Sequence, residues 1–203
     1  MQRNIVSSAK DSKMGMICLQ CFVLLLHCSF VHGTSKGALP QSCNTMTPGH
    51  TSTAAQTSPA PYSVTVSKTK YTGGDTISVT LSKTAAKQFK GYLIQARNQD
   101  GTKIPGFNLI ANSKYLKCDS PNDAVTHTEA TEKDSVTFQF TAPTTSKGNI
   151  TIFTTAVENY STYWVMMQSD TIIDAVVTGA SSRFLPDCVL VAISLFCFHL
   201  YRH

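Results

Sequence analysis

The polar middle of this 203-residue chain holds few residues able to do chemistry: two histidines, two cysteines and a scatter of lysines. His50 lies seven residues after Cys43, and His127 lies nine after Cys118. A link between the two cysteines would therefore bring both imidazoles to one end of the body. Two imidazoles joined by Glu129 or Asp123 make a candidate metal or ligand site. The plainer reading gives both rings structural hydrogen bonds in loops and leaves no metal, cofactor or catalytic residue. No G-x-S-x-G, H-E-x-x-H, P-loop or G-x-G-x-x-G string is present, so hydrolase, metalloprotease and nucleotide-binding chemistry have no motif to rest on.

Seven cysteines are encoded, of which Cys18, Cys21 and Cys28 sit in one apolar run and Cys188 and Cys197 in another. Cys43 and Cys118 remain. In an oxidising compartment such a pair is most simply a disulfide, closing a loop of about 75 residues. A metal-thiolate pair is the alternative, and it lacks any nearby C-x-x-C spacing. Lys83, Lys87 and Lys90, among Ser and Thr hydroxyls, are candidates for engaging an anionic glycolipid or polysaccharide. Trp164 with Tyr163 and Phe153 reads as core before it reads as a sugar-stacking platform. Arg97, at a strand end, reads as a surface or salt-bridged residue.

The elements that must carry these residues are bracketed by apolar ends. Lys13 precedes a run from Met14 to Val31, followed by small residues at Gly33, Thr34 and Ser35. That is the pattern of a secretory signal spanning 1–33, with an uncleaved anchor as the rival and Met14 or Met16 as alternative starts. Near the other end Cys188 to Tyr201 is apolar but short, about 21 Å as a helix against about 30 Å of hydrocarbon. With Thr178, Gly179, Ala180, Ser181 and Ser182 upstream, it resembles a GPI-attachment signal behind a linker at 175–187. A short membrane anchor over 188–201 is the alternative. Both place the body outside the cell, secreted or on the outer face of the plasma membrane.

The formal charge of +5 sits mostly at the ends; from Thr34 to Asp187 there are 13 Lys/Arg against 11 Asp/Glu. Without a basic stripe interleaved with aromatics, nucleic acid is excluded as a partner. In that stretch Ser and Thr supply 42 of 154 residues, a composition that favours strands.

Alternation of apolar and polar residues predicts strands over Tyr62–Lys68, around Ile77, Val79 and Leu81, over Ser135–Thr141, over Asn149–Val157 and over Tyr163–Met167. Phe89–Arg97 is denser and suits a strand buried on both faces. Short strands separated by turn residues predict an all-β, antiparallel sandwich, with an irregular stretch from Pro40 to Pro61 held to it by Cys43. Two sequons, Asn149-Ile150-Thr151 and Asn159-Tyr160-Ser161, are candidate glycosylation sites.

Several strings resemble a reeler domain. They are Gly37-Ala-Leu-Pro40, Cys43, Met46-Thr-Pro48, Tyr71-Thr-Gly-Gly-Asp75, Phe89-Lys-Gly91-Tyr-Leu-Ile-Gln95-Ala-Arg97, Gly106-Phe107, Cys118, Ala124-Val-Thr-His127, Val136-Thr-Phe-Gln-Phe-Thr-Ala142-Pro143 and Tyr163-Trp164, in order. The resemblance covers about residues 36–174 and implies an immunoglobulin-like sandwich with Cys43 bonded to Cys118. Phe140 stands where relatives often carry Trp. The family occurs in ferric-chelate reductase-like proteins, in matrix and adhesion proteins, and in stand-alone defence proteins linked to microbial surfaces. The chain runs only about 30 residues past the domain, which leaves no room for a haem domain or redox helices. A non-enzymatic recognition role in innate defence is therefore expected, with adhesion to a host matrix or cell-surface component as the alternative. A truncated reductase-like protein without redox activity is the third setting.

The intact mass of the exported protein is expected to lack residues 1–33, to fall 2 Da below the reduced value and to carry glycan. A product retaining the leader, or two free thiols at Cys43 and Cys118, would overturn this processing.

Overall fold

Alternating apolar and hydroxyl-bearing residues become strands wherever one face can be buried, and a computed structural model of the chain, which describes residues 36–176, shows how. The signal expected at 1–33 and the tail at 188–201 lie outside the described residues, as does the linker beyond Val176. After a 3-10 turn at Pro40–Ser42 come β1 (Tyr62–Val66), β2 (Lys70–Tyr71), β3 (Thr76–Lys83), β4 (Gly91–Asn98), β5 (Lys103–Ile104) and β6 (Ser113–Leu116). They are followed by β7 (Ala124–His127), β8 (Ser135–Thr141), β9 (Ile150–Asn159), β10 (Thr162–Gln168) and β11 (Ile173–Asp174). A small sheet has the order β1-β3-β8, and a larger one β10-β9-β4-β7-β6 with β5 also on β4.

The small sheet shows its period plainly. Ile77, Val79 and Leu81 of β3 lie opposite Phe140, Phe138 and Val136 of β8, all turned inward. The other face carries hydroxyls that pair across strands, Thr80 with Thr137 at 2.9 Å and Ser63 with Ser82 at 3.2 Å. From the larger sheet Tyr92, Ile94 and Ala96 of β4 and Ile150, Ile152 and Ala156 of β9 complete the core. Edge-on aromatic contacts bind the two sides together, Phe138 with Tyr92 at 5.8 Å and with Phe107 at 6.1 Å. Trp164 belongs here too, edge-on to Tyr62, with its indole N–H donated to the Ser58 carbonyl. Phe140 fills its place against Phe107 and is fully buried.

The larger sheet is covered on its other face by residues 37–59, an irregular strap. Cys43 and Met46 of the strap pack on Leu93, Leu116 and Ala124 to make a second, smaller core. Cys43 is disulfide-bonded to Cys118 with the Cα atoms 5.6 Å apart, so a metal-thiolate pair is ruled out for these sulfurs. The bridge spans a separation of 75 residues. In the chain-entropy account that closure contributes about 4 kcal/mol.

Apart from its own turn and one bond from Gln56 N–H to the Tyr163 carbonyl, the strap is held to the sheet by side chains. Gln95 Nε2 and Arg97 Nη2 both donate to the Cys43 carbonyl, at 3.1 and 3.0 Å, and Arg97 reaches the Asn44 carbonyl at 3.2 Å. Thr155 donates to the Met46 carbonyl at 2.7 Å, and Ala38 N–H donates to Thr126 Oγ1 at 2.9 Å. Arg97 therefore departs from expectation. It is 9% exposed, makes no carboxylate ion pair among the described residues, is locked to Gln95 Oε1 and lies over the Phe153 ring at 5.2 Å. Burial lowers its pKa, and the field of Asp119 opposes that.

Two other features differ from the sequence reading. β2 and β11 form a short parallel pair, tied by Tyr71, whose hydroxyl donates to Asp174 at 2.9 Å and to the Gly148 carbonyl at 2.8 Å. Strands β5, β6 and β7 were not anticipated, because two to four residues are too few to display a period.

Replacing Arg97 by Lys keeps the charge but removes the planar fork that spans the strap carbonyls and Gln95. This substitution is expected to cost about 2 kcal/mol in urea unfolding with the disulfide intact. An unchanged midpoint would show that the strap does not depend on this clamp.

Candidate functional site

The strap and the larger sheet do not close completely: between them lies a pocket of about 220 Å³. Met46 and Leu93, both buried, line it, together with Leu39, Pro48 and Val157. His50, His127 and Lys90 also line it, so the structure gathers both histidines and one of the three lysines around one cavity.

His127 is set by the end of β7. Beyond Leu93↔Thr126 the ladder stops, and side chains take over the backbone of Tyr92. Thr126 Oγ1 donates to the Tyr92 carbonyl at 2.6 Å, while Tyr92 N–H donates to His127 Nδ1 at 3.1 Å. Nδ1 also lies 3.2 Å from the Tyr92 carbonyl, but Thr126 already donates to that oxygen and the amide needs an acceptor, so the contacts favour the neutral tautomer with its proton on Nε2. That Nε2–H has no hydrogen-bond partner among the described residues. The ring lies over Gly91, where a Cβ would sit 2.8 Å from Cε1, so only glycine leaves room for it. Gly37 is a second close approach: with φ +104°, its Cβ would fall 2.3 Å from the His127 carbonyl oxygen.

His50 is held differently. Its ring stacks on Tyr160 with centroids 4.5 Å apart and meets the edge of Tyr163 at 5.5 Å. Its Nδ1 is buried without a hydrogen-bond partner. Neither acidic candidate joins the histidines. Asp123 accepts the N–H groups of Cys118, Asp119 and Ser120, and Glu129 is bonded by Asn112 and Thr131. Among the described residues no group of three or more His, Cys, Asp or Glu is arranged to hold a metal ion.

The three lysines do not form a bare cationic patch. Lys83 pairs with Asp134 at 2.7 Å, Lys87 with Glu158 at 3.4 Å and Lys90 with Glu132 at 3.5 Å. Tyr163 is fully buried and Trp164 is 7% exposed, which removes them as a stacking platform. The sequons differ. Asn159 is exposed at the end of β9, where its Oδ1 accepts from Ser161 N–H and Oγ–H. Asn149 is half-buried with its Oδ1 accepting from Asp174 N–H. The pocket itself was not foreseen from sequence; the one available signal was glycine at 91 beside a buried strand.

Burial lowers the pKa of both histidines: His127 with the Tyr92 backbone opposing and Lys133 and Lys114 reinforcing, His50 with the Tyr160 backbone opposing. The unfolded chain titrates them near 6.5. Below that pH the unfolded state binds more protons than the folded one, so stability climbs with pH through this window and levels off above about 6.5. The midpoint of thermal unfolding is expected to fall as pH drops from 7 towards 5, and His127→Gln to flatten that slope. An equal slope in the variant would assign the effect elsewhere.

The profile of the reeler domain matches residues 41–178. A protein of Antheraea mylitta that carries a defense-protein name is 37% identical over 136 residues, covering 66% of this chain and 82% of that one. A ferric-chelate reductase 1 of Bos taurus is 37% identical over 153 residues, 72% of this chain. This chain spans only 25% of the reductase's length. Among solved structures, the Reelin-N domain of F-spondin superposes with a TM-score of 0.51 at 17% identity, over 60% of this chain and 91% of that one. The match over most of the described body, on a disulfide-pinned sandwich, makes this chain a member of the reeler-domain family.

Proposed function

We propose that this protein is a non-enzymatic recognition module of innate defence, acting outside the cell on a microbial surface glycolipid or polysaccharide. One observation carries the reading. The defense-named relative is matched over 82% of its length, whereas the reductase is matched over a quarter of its own. The side chains favour binding over reaction, since both imidazoles of the pocket are held by a backbone bond or ring contacts and Asp123 is engaged in its own loop. Export by the 1–33 signal, attachment through the 188–201 tail and a glycan on exposed Asn159 belong to the same reading.

The lysines would act by partner exchange. Exposed ion pairs of this kind are worth about 0–1 kcal/mol, so a polyanion can displace Asp134, Glu158 and Glu132 at little cost. Replacing Lys83, Lys87 and Lys90 together by Ala is expected to weaken capture on bacterial lipopolysaccharide at least tenfold. Neutralising the carboxylates by Asp134→Asn, Glu158→Gln and Glu132→Gln should strengthen it, and both effects should shrink in high salt. Unchanged capture by the lysine variant would reject these residues as the contact, and absence of capture by the native protein would reject the reading.

A further inference from the structure

The pocket under the strap has a chemistry that surface recognition does not use. Its volume, about 220 Å³, lies below the range of sites for drug-sized ligands and above the 150 Å³ or so that encloses benzene. It therefore suits a slender molecule of about ten non-hydrogen atoms. Leu39, Met46, Pro48, Leu93 and Val157 give it an aliphatic wall. Two residues of its lining can donate to an anion. The His127 ring lies over Gly91, with its Nε2–H unpartnered among the described residues, and Lys90 is the residue before that glycine. Lys90 is held only by an exposed contact to Glu132 at 3.5 Å. Lys114 and Lys133 both lower the pKa of His127, and Glu129 acts on the neighbouring Tyr92.

We infer that this pocket is a binding site for a medium-length acyl chain with a carboxylate or other anionic head. The aliphatic part lies against Met46 and Leu93 beneath the strap, and the head takes hydrogen bonds from His127 Nε2–H and Lys90. The chain can come from a free fatty acid or from one acyl arm of a membrane lipid. Lys90 is shared with the lipopolysaccharide contact of the preceding section, but Lys83 and Lys87 are not part of this site and Ala130→Trp leaves all three lysines in place, so the two readings fail separately.

The test is calorimetric titration of the folded, disulfide-bonded protein with sodium octanoate, with 1-octanol and sodium acetate as comparison ligands. Octanoate is expected to bind saturably at one site, octanol more weakly and acetate not at all. The His127 Hε1 proton resonance should move with octanoate. Lys90→Ala should weaken octanoate about five- to tenfold while leaving octanol unchanged. Ala130 is exposed at the mouth, so Ala130→Trp should abolish binding of both without altering the unfolding midpoint. Vesicles of anionic phospholipid distinguish the sources: capture blocked by Ala130→Trp identifies a lipid arm, and octanoate binding without vesicle capture identifies a free acid. Absence of saturable octanoate binding, or full binding by the Ala130→Trp variant, overturns the site.

Discussion

Irregular backbone laid across a sheet has the same hydrogen-bonding needs as a strand but no ladder to meet them. In this protein the Cys43, Asn44 and Met46 carbonyls face that difficulty, and everything on the strap side depends on how it is met. Arg97, Gln95 and Thr155 reach out from the larger sheet to accommodate them, and the disulfide fixes the point about which they converge. The arrangement is economical because two of the donors come from alternate positions of β4, so one strand's outward face supplies most of the clamp. It also accounts for a buried guanidinium without a carboxylate. The charge is distributed over carbonyl oxygens, the Gln95 amide and the face of Phe153, rather than neutralised by one partner.

The strap makes the pocket possible. A ladder-paired strand would have packed side chain to side chain on Leu93 and left no void. A strap suspended on a few long side chains bridges the sheet and leaves space beneath it. Gly91 and Gly37 then set the cavity's shape, one by admitting the His127 ring and the other by letting the strap approach the end of β7.

Much of the sandwich could be read from the chain. Alternation at Tyr62–Val66, Thr76–Lys83 and Ser135–Thr141 survives intact because each of those strands keeps one face wet. The density of Phe89–Arg97 correctly signalled burial on both faces, but not by what. Periodicity carries no trace of a covering that has none itself, and residues 40–61 look like a tether in sequence. Arg97 was misread for the same cause: a cation at the end of an apolar run is ordinarily at the surface, and only the hidden carbonyls above it reverse that. Both histidines line the pocket, whereas Asp123 and Glu129, close to His127 in sequence, are drawn into their own loop bonds.

One consequence follows from where β4 sits. Tyr92, Ile94 and Ala96 enter the main core, whereas Leu93 enters the smaller core and Gln95 and Arg97 hold the strap above it, so neighbouring positions report on separate bodies of packing. Substitutions along this strand meet two sets of neighbours in alternation, and the cavity can be remodelled through Leu93 while Tyr92 and Ile94 keep the sandwich whole. The domain thus has a means of changing what it holds without renegotiating how it folds.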